Sequence, residues 1–168
     1  MRLDILRRSY DRFAAQYDDI FGPQQTPKIE ALAAALPRPL PGPGLDAGAG
    51  TGLCSRVMGV ELTQLDASRG MLALAAGRRV QGELSRMPFR AGAFGLVVSV
   101  TALIDFLDPG PVVAEFARVL RPGGWLALSV LKVEDIAAVQ GALEVEGFVV
   151  RQRLDLVQDI GFVCRRGG

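Results

Sequence analysis

The stretch GLDAGAGTG, residues Gly44–Gly52, decides the fold of this chain. Three glycines stand at alternate positions after the short apolar segment Gly44–Ala47. Glycines allow the main chain to turn sharply and to approach a ligand closely. A helix that follows such a turn presents free N–H groups to an anion. The stretch therefore predicts a strand, a ligand-binding turn and a helix, the unit from which doubly wound α/β sheets are built.

The acidic residue Asp46 distinguishes this turn from a dinucleotide-binding turn. The usual dinucleotide spacing is G-x-G-x-x-G, whereas the spacing here is G-x-G-x-G, and Asp46 lies two residues before the first glycine. A carboxylate beside a pyrophosphate is unfavourable. S-adenosylmethionine carries an ammonium that suits Asp46 and a carboxylate that suits a helix N-terminus. The pattern favours S-adenosylmethionine over NAD as the ligand. The residues of the turn that are expected to bind this cofactor are Gly48, Ala49, Gly50 and Gly52.

The remainder of the chain alternates apolar strands with helices. Strands are predicted at Glu61–Leu65, Arg79–Gly82, Phe94–Val100, Trp125–Leu131, Phe148–Leu156 and Ile160–Cys164. Such alternation predicts a mostly parallel sheet with helices on both faces. Only the turn Val157–Asp159 joins the last two strands, and so short a turn joins antiparallel strands. The prediction is a doubly wound, Rossmann-like sheet of seven strands whose last strand is antiparallel.

The N-terminal part is predicted to form a helical lid. Aromatic and aliphatic residues recur at helical spacing in Ser9–Phe21, and Gly22 with Pro23 is expected to end that helix. Thr26 and Pro27 predict the start of a second helix, and the proline-rich residues 37–43 predict a stiff, extended connector. We expect one domain over residues 1–168, in which residues 1–43 cover an α/β core of residues 44–168.

Ligands of parallel sheets bind beyond the carboxyl ends of the strands. Asp66 ends the second strand, and its carboxylate can accept hydrogen bonds from both ribose hydroxyls if Ser68 caps the next helix. Glu83, at the end of the third strand, can accept a hydrogen bond from the adenine amino group. Leu84 and Met71 can flank the adenine ring. The remaining candidates at strand ends are Ala67, Ser99 and Leu103.

Composition excludes several other functions. The net charge of +1 gives no broad attraction to nucleic acid. The absence of histidine excludes Ser-His-Asp and Cys-His nucleophile systems and removes the commonest zinc ligand, so no metal site is expected. The segment Met1–Tyr10 lacks the apolar core of a signal peptide, and no apolar run is long enough to span a bilayer. A cytoplasmic location without membrane insertion is predicted.

The order of these motifs resembles the class I S-adenosylmethionine-dependent methyltransferases, in the small-molecule branch that includes the quinone-biosynthesis C-methyltransferases. The similar segments are Gly44–Gly52, Leu65–Leu72, Gly82–Phe89, Phe94–Ser99 and Arg118–Gly124. Phe13–Asp18 also resembles the N-terminal helix of the family, whose tyrosine, here Tyr17, covers the cofactor. The resemblance implies S-adenosylmethionine as the cofactor and a small-molecule methyl acceptor.

The sequence offers few candidates for a catalytic base. Methyl transfer from a sulfonium depends mainly on alignment, and a general base is needed only where the acceptor must lose a proton. Without histidine, the candidates are Asp105, Asp108, Tyr10 and Tyr17, of which Asp105 follows the fourth strand most closely.

Two departures from the family leave other functions open. Gly95 replaces a usually acidic residue, and the segment Ala102–Asp105 replaces one that often contains histidine. The alternatives are an S-adenosylmethionine-binding pseudoenzyme or sensor, a nicotinamide-dependent oxidoreductase and, with the least support, a nucleic-acid methyltransferase.

Overall fold

The computed structural model describes residues 2–104 and 107–168, without the side chains of residues 2–4 and 6. The strands within this part of the chain are β1 (Gly44–Ala47), β2 (Thr63–Asp66), β3 (Arg79–Gln81), β4 (Phe94–Val100), β5 (Leu120–Leu131), β6 (Phe148–Leu156) and β7 (Asp159–Arg166). The helices are α1 (Arg2–Ala35), α2 (Leu53–Met58), α3 (Arg69–Leu74), α4 (Pro109–Val119) and α5 (Ile136–Val145).

The strands form one sheet in the order β3-β2-β1-β4-β5-β7-β6. Pairing is parallel from β3 to β5, and β7 is antiparallel to both β5 and β6. The predicted fold class is therefore confirmed, including the antiparallel last strand. The chain builds outward from β1 in one direction through β2 and from β4 in the other, so the crevice for a ligand opens between the carboxyl ends of β1 and β4.

Apolar layers cover both faces of the sheet. On one face, α4 and α5 contribute buried side chains such as Phe116 and Leu143. On the other face, α1 contributes Ile29 and Leu32, and α2 contributes Cys54. Burial on both faces explains why β4 is apolar apart from Ser99, as parallel central strands usually are. Within the described residues, no helix combines the length and the apolar character needed to cross a membrane.

The prediction of two N-terminal helices is wrong, because α1 is one continuous helix that contains Pro23 and Pro27. A proline inside a helix removes a main-chain donor and costs about 3 kcal/mol. Tertiary packing on both sides of the prolines offsets this cost. The N-terminal part of α1 contacts α2 and α3, and the C-terminal part packs on β5, β6 and β7.

Several other boundaries differ from the prediction. β5 begins at Leu120 instead of Trp125, because its pairing with β4 tolerates an irregularity between Phe94 and Leu96. The last strand, β7, begins at Asp159 and ends at Arg166, which extends the predicted strand by one residue at its start and two at its end. The connector of residues 36–43 bends repeatedly and is not extended. The predicted bounds of β1, β4 and β6 are confirmed.

Candidate cofactor site

The glycine turn after β1 is held against the end of β2. The N–H groups of Gly48 and Ala49 both donate to the carbonyl of Leu65, at 2.8 and 2.9 Å. Gly48 has a φ of 83°, a left-handed conformation that L side chains rarely adopt. A Cβ atom at Gly48 would also lie 2.3 Å from Cβ of Ala102. The turn therefore requires glycine for its conformation and for its close approach to the segment after β4.

Asp66 joins the ends of the first two strands through its carboxylate. Oδ2 accepts a hydrogen bond from Gly50 N at 2.8 Å, and Oδ1 accepts one from Ser68 N at 2.8 Å. Burial raises the pKa of Asp66, although these main-chain donors lower it. The Ser68 hydroxyl caps α3 as predicted, by accepting from Met71 N.

The expectation that capping by Ser68 leaves the Asp66 carboxylate free is wrong, since both of its oxygens accept main-chain N–H groups. A carboxylate oxygen has two lone pairs, so each oxygen retains one acceptor position for a hydroxyl. Asp66 can therefore hold the glycine turn and a ligand at once.

A cavity of about 360 Å³ opens at the carboxyl ends of the strands, within the usual size of small-molecule sites. The predicted binding residues that line it are Tyr17, Gly48, Gly50, Asp66, Ala67, Met71, Glu83 and Leu84. These residues come from α1, from the glycine turn and from the segments after β2 and β3. The structure thus brings together, around one space, residues that the sequence places far apart.

The N-terminal half of α1 forms one wall of the cavity through Tyr10 and Tyr17. Asp11 fastens this half to the start of α3, since its Oδ1 accepts from Ser68 Oγ at 2.6 Å and from Gly70 N at 2.8 Å. Asp18 fastens it to the glycine turn, where it accepts from Thr51 Oγ1 at 2.5 Å. These contacts fasten the helix against the cavity, and its role as a lid stays a prediction.

Tyr17 is a poor proton acceptor in this position. Burial raises its pKa to about 12, and the negative charges of Asp66 and Asp18 act in the same direction. Its ring packs against those of Tyr10 and Phe21, with centroids 6.2 and 5.0 Å apart. At neutral pH the Tyr17 phenol keeps its proton, so it can donate a hydrogen bond into the cavity. Its predicted role as a base stays a prediction that this pKa disfavours.

Asp46 is only 1% exposed and does not line the cavity. Neither of its oxygens has an aligned hydrogen-bond donor, although the Cys54 thiol lies close enough to lower its pKa. Burial outweighs the thiol and raises the pKa of Asp46 to about 7. A buried carboxylate without a donor is costly. This unmet acceptor, next to a glycine turn that leaves the main chain open, fits a ligand that brings an ammonium group.

Four further predicted residues lie away from the cavity lining. Ala49 donates its N–H to Leu65, and Gly52 lies against the side chain of Gln64. Ser99 donates its hydroxyl to the Ala47 carbonyl at 2.8 Å, and Leu103 is buried in the core with α4. Their roles as direct cofactor contacts stay predictions, and their observed contacts place them as supports of the site.

The structure assigns no base role to the other catalytic candidates, which are Asp105, Asp108 and Tyr10. Asp105 lies outside the described residues. Asp108 accepts a hydrogen bond from Gly110 N at 2.9 Å and caps α4. Tyr10 lines the cavity, and burial raises the pKa of its phenol.

Sequence reasoning missed several residues of the cavity wall. They are Arg7, Ser68, Gln81, Gly82, Ser85, Ile104 and Leu107. Gln81 could have been found, because it ends β3. Arg7 lies at helical spacing from Tyr10, on the same face of α1. Ile104 and Leu107 lie in an irregular loop, for which no periodic pattern exists.

Comparison with known proteins agrees with this geometry. The methyltransferase domain family matches residues 45–128, half of the chain. A malonyl-[acyl-carrier protein] O-methyltransferase from Dechloromonas aromatica is 37% identical over 133 residues, which cover 75% of this chain and 50% of the relative. The chain belongs to the methyltransferase domain family. The predicted membership of a methyltransferase family is therefore confirmed.

Other similar proteins extend the comparison. A demethylmenaquinone methyltransferase from Renibacterium salmoninarum is 31% identical, over 76% of this chain and 59% of the relative. The chain thus spans about half to three fifths of the length of these curated relatives. An S-adenosylmethionine-dependent methyltransferase structure from Thermotoga maritima shares the fold, with a TM-score of 0.77 at 17% identity, covering 94% of this chain and 98% of that one.

The buried carboxylate of Asp46 makes the stability of this methyltransferase domain depend on pH. Asp46 titrates near pH 4 in an unfolded chain and at about 7 in the folded domain. Between about pH 4 and pH 7 the folded state binds more protons at Asp46 than the unfolded state does. The contribution of Asp46 to the free energy of unfolding therefore falls as the pH rises through this range. We expect Asp46→Asn to raise the thermal midpoint relative to the wild type more at pH 8 than at pH 5. A difference between the two proteins that is independent of pH would contradict this.

Proposed function

We propose that this chain transfers the methyl group of S-adenosylmethionine to a small-molecule acceptor. The observation that carries the proposal is the position of Asp66. Its carboxylate lines the cavity and also accepts the N–H of Gly50 in the glycine turn. One carboxylate and one open main-chain turn therefore face the same space, which suits a ribose next to an amino-acid group.

The parts of the cofactor are assigned to residues by their chemistry. Asp66 would accept hydrogen bonds from the ribose hydroxyls. Asp46, which does not line the cavity, would attract the ammonium group by its negative charge without direct contact. Glu83 would accept from the adenine amino group. Leu84 and Met71, which both approach the glycine turn, would flank the adenine ring.

The reaction needs mainly orientation and the exclusion of water. The cofactor supplies a methyl group made electrophilic by the sulfonium. The chain holds the reacting groups in line, and proximity of this kind can contribute about 7 to 11 kcal/mol. Tyr10 and Tyr17 on α1 would shield the site from solvent. Asp105 is retained as the candidate base, and Tyr17 is proposed as a hydrogen-bond donor.

The acceptor is proposed to have an apolar part. Val100, Ile104 and Leu107 line the cavity near the end of β4, where an acceptor would lie. Two of the relatives are named as methyltransferases of malonyl-[acyl-carrier protein] and of demethylmenaquinone. That residues 1–168 act as one domain, in the cytoplasm and without nucleic-acid substrates, stays a prediction.

Calorimetry with separate ligands tests the function directly. We expect the protein to bind S-adenosylmethionine and S-adenosylhomocysteine and not NAD, because Asp46 disfavours a pyrophosphate. Transfer of label from methyl-labelled S-adenosylmethionine to a component of a cell extract would then identify the acceptor. Binding of NAD without binding of S-adenosylmethionine would contradict the proposal.

Two carboxylate variants separate the two halves of the cofactor site. Methylthioadenosine contains the ribose and adenine but lacks the amino-acid group. We expect Asp66→Asn to weaken both S-adenosylhomocysteine and methylthioadenosine by about ten- to hundredfold, the equivalent of one hydrogen bond to a charged group. Asp46→Asn should weaken S-adenosylhomocysteine only.

The matched control is Asp19→Asn, at an exposed carboxylate on α1, which should leave both affinities unchanged. Equal losses for both ligands in Asp46→Asn would remove Asp46 from the ammonium position. Unchanged binding in Asp66→Asn would remove Asp66 from the ribose position.

A further inference from the structure

A buried ion pair joins α1 to the first residue of β7. Lys28 Nζ lies 2.6 Å from Asp159 Oδ1, and the two side chains are 5% and 0% exposed. Removing two charges from water carries a large penalty, so an apolar pair would hold a helix on a sheet at least as well. The position of this pair therefore calls for an explanation beyond packing.

The same carboxylate reaches the segment that follows β4. Asp159 Oδ2 accepts from Thr101 Oγ1 at 2.8 Å and from Ser129 Oγ at 2.9 Å. Lys28 Nζ also donates to Thr101 Oγ1, at 3.3 Å. The main-chain N–H of Thr101 donates to the Ser129 carbonyl at 3.0 Å. The Thr101 hydroxyl and N–H are therefore both held by this buried group of residues.

Thr101 has a backbone conformation that needs such support. Its φ is 52°, in the left-handed region, which is unfavourable for a β-branched residue and persists only where the surroundings impose it. The next residue, Ala102, lies against Gly48, where a Cβ atom would be 2.3 Å from its own Cβ. Thr101, Ala102 and Gly48 all line the cavity. The conformation of Thr101 thus sets how the segment after β4 meets the glycine turn.

We propose that Lys28 and Asp159 are positioning residues for the cofactor site: their buried ion pair holds Thr101 in its left-handed conformation and so keeps Ala102 against Gly48. The proposal rests on the proposed function, since it takes the cavity as the S-adenosylmethionine site. Neither residue lines the cavity, so both act through Thr101. Lys28 thereby makes the lid helix part of the support of the site as well as its cover.

The test combines a variant in the ion pair with a rescue at Thr101. We expect Asp159→Asn to weaken the affinity for S-adenosylhomocysteine, measured by calorimetry, by about tenfold, the scale of the strain in one left-handed residue. Glycine adopts this conformation freely. Adding Thr101→Gly to Asp159→Asn should therefore restore much of the affinity, whereas adding Thr101→Ala should not.

A second measurement needs no ligand. Hydrogen exchange at the Thr101 amide, followed by NMR, should be faster in Asp159→Asn than in the wild type, because the bond to Ser129 is no longer held in place. The matched control is Asp155→Asn, in the same β6–β7 hairpin. Asp155 also pairs with a lysine, Lys132, at 2.6 Å, but that pair is exposed. This control should change neither the affinity nor the exchange rate.

If the unpaired Lys28 prevents Asp159→Asn from folding, the double variant Lys28→Gln/Asp159→Asn leaves no buried charge and is expected to show the same loss and the same rescue. Unchanged affinity and exchange, or equal effects of Thr101→Gly and Thr101→Ala, would overturn the positioning role while the wild type still binds S-adenosylhomocysteine. Failure of the wild type to bind that ligand would overturn the proposed function instead, and this inference with it.

Discussion

The hydrogen bond from Gly50 N to Asp66 Oδ2, at 2.8 Å, is the contact on which the site depends. It joins the turn after β1 to the end of β2, and the bonds from Gly48 and Ala49 to Leu65 strengthen the same junction. The turn leaves the main chain open because its glycines have no side chains. The junction therefore places an acceptor and a ligand-accessible backbone at one point of the sheet edge.

The lid helix is organised by carboxylates in a similar way. Asp11 accepts hydrogen bonds from Ser68 and Gly70 at the start of α3, and Asp18 accepts one from the Thr51 hydroxyl beside the glycine turn. Between these contacts, Tyr10 and Tyr17 face the cavity. Farther along the same helix, Lys28 enters the buried group around Asp159. A single helix thus lines the cavity through its N-terminal half and contacts the buried group around Asp159 through Lys28.

Local patterns in the sequence predicted the parts of this structure that depend on neighbouring residues. The bounds of β4 follow from a continuous apolar run, and the cap at Ser68 follows from its place between a strand and an apolar helix. The antiparallel direction of β7 follows from the short turn before it. Asp66 was predicted at the cavity for the same kind of reason, because it directly follows a strand.

The features that were missed depend on contacts between distant segments. Pro23 and Pro27 indicate a break by local rules, yet packing along the whole length of α1 keeps the helix continuous. Thr101 shows no unusual pattern in the sequence, since its conformation is held by Lys28, Ser129 and Asp159, each from a different element.

In the proposed function, Asp66 serves the glycine turn and the cofactor with the same carboxylate. A crystal structure of the protein with S-adenosylhomocysteine tests it most directly. We expect both ribose hydroxyls to lie within hydrogen-bond distance of the Asp66 carboxylate, with the hydrogen bond from Gly50 N retained. A ligand bound elsewhere, or a ribose with no contact to Asp66, would contradict it.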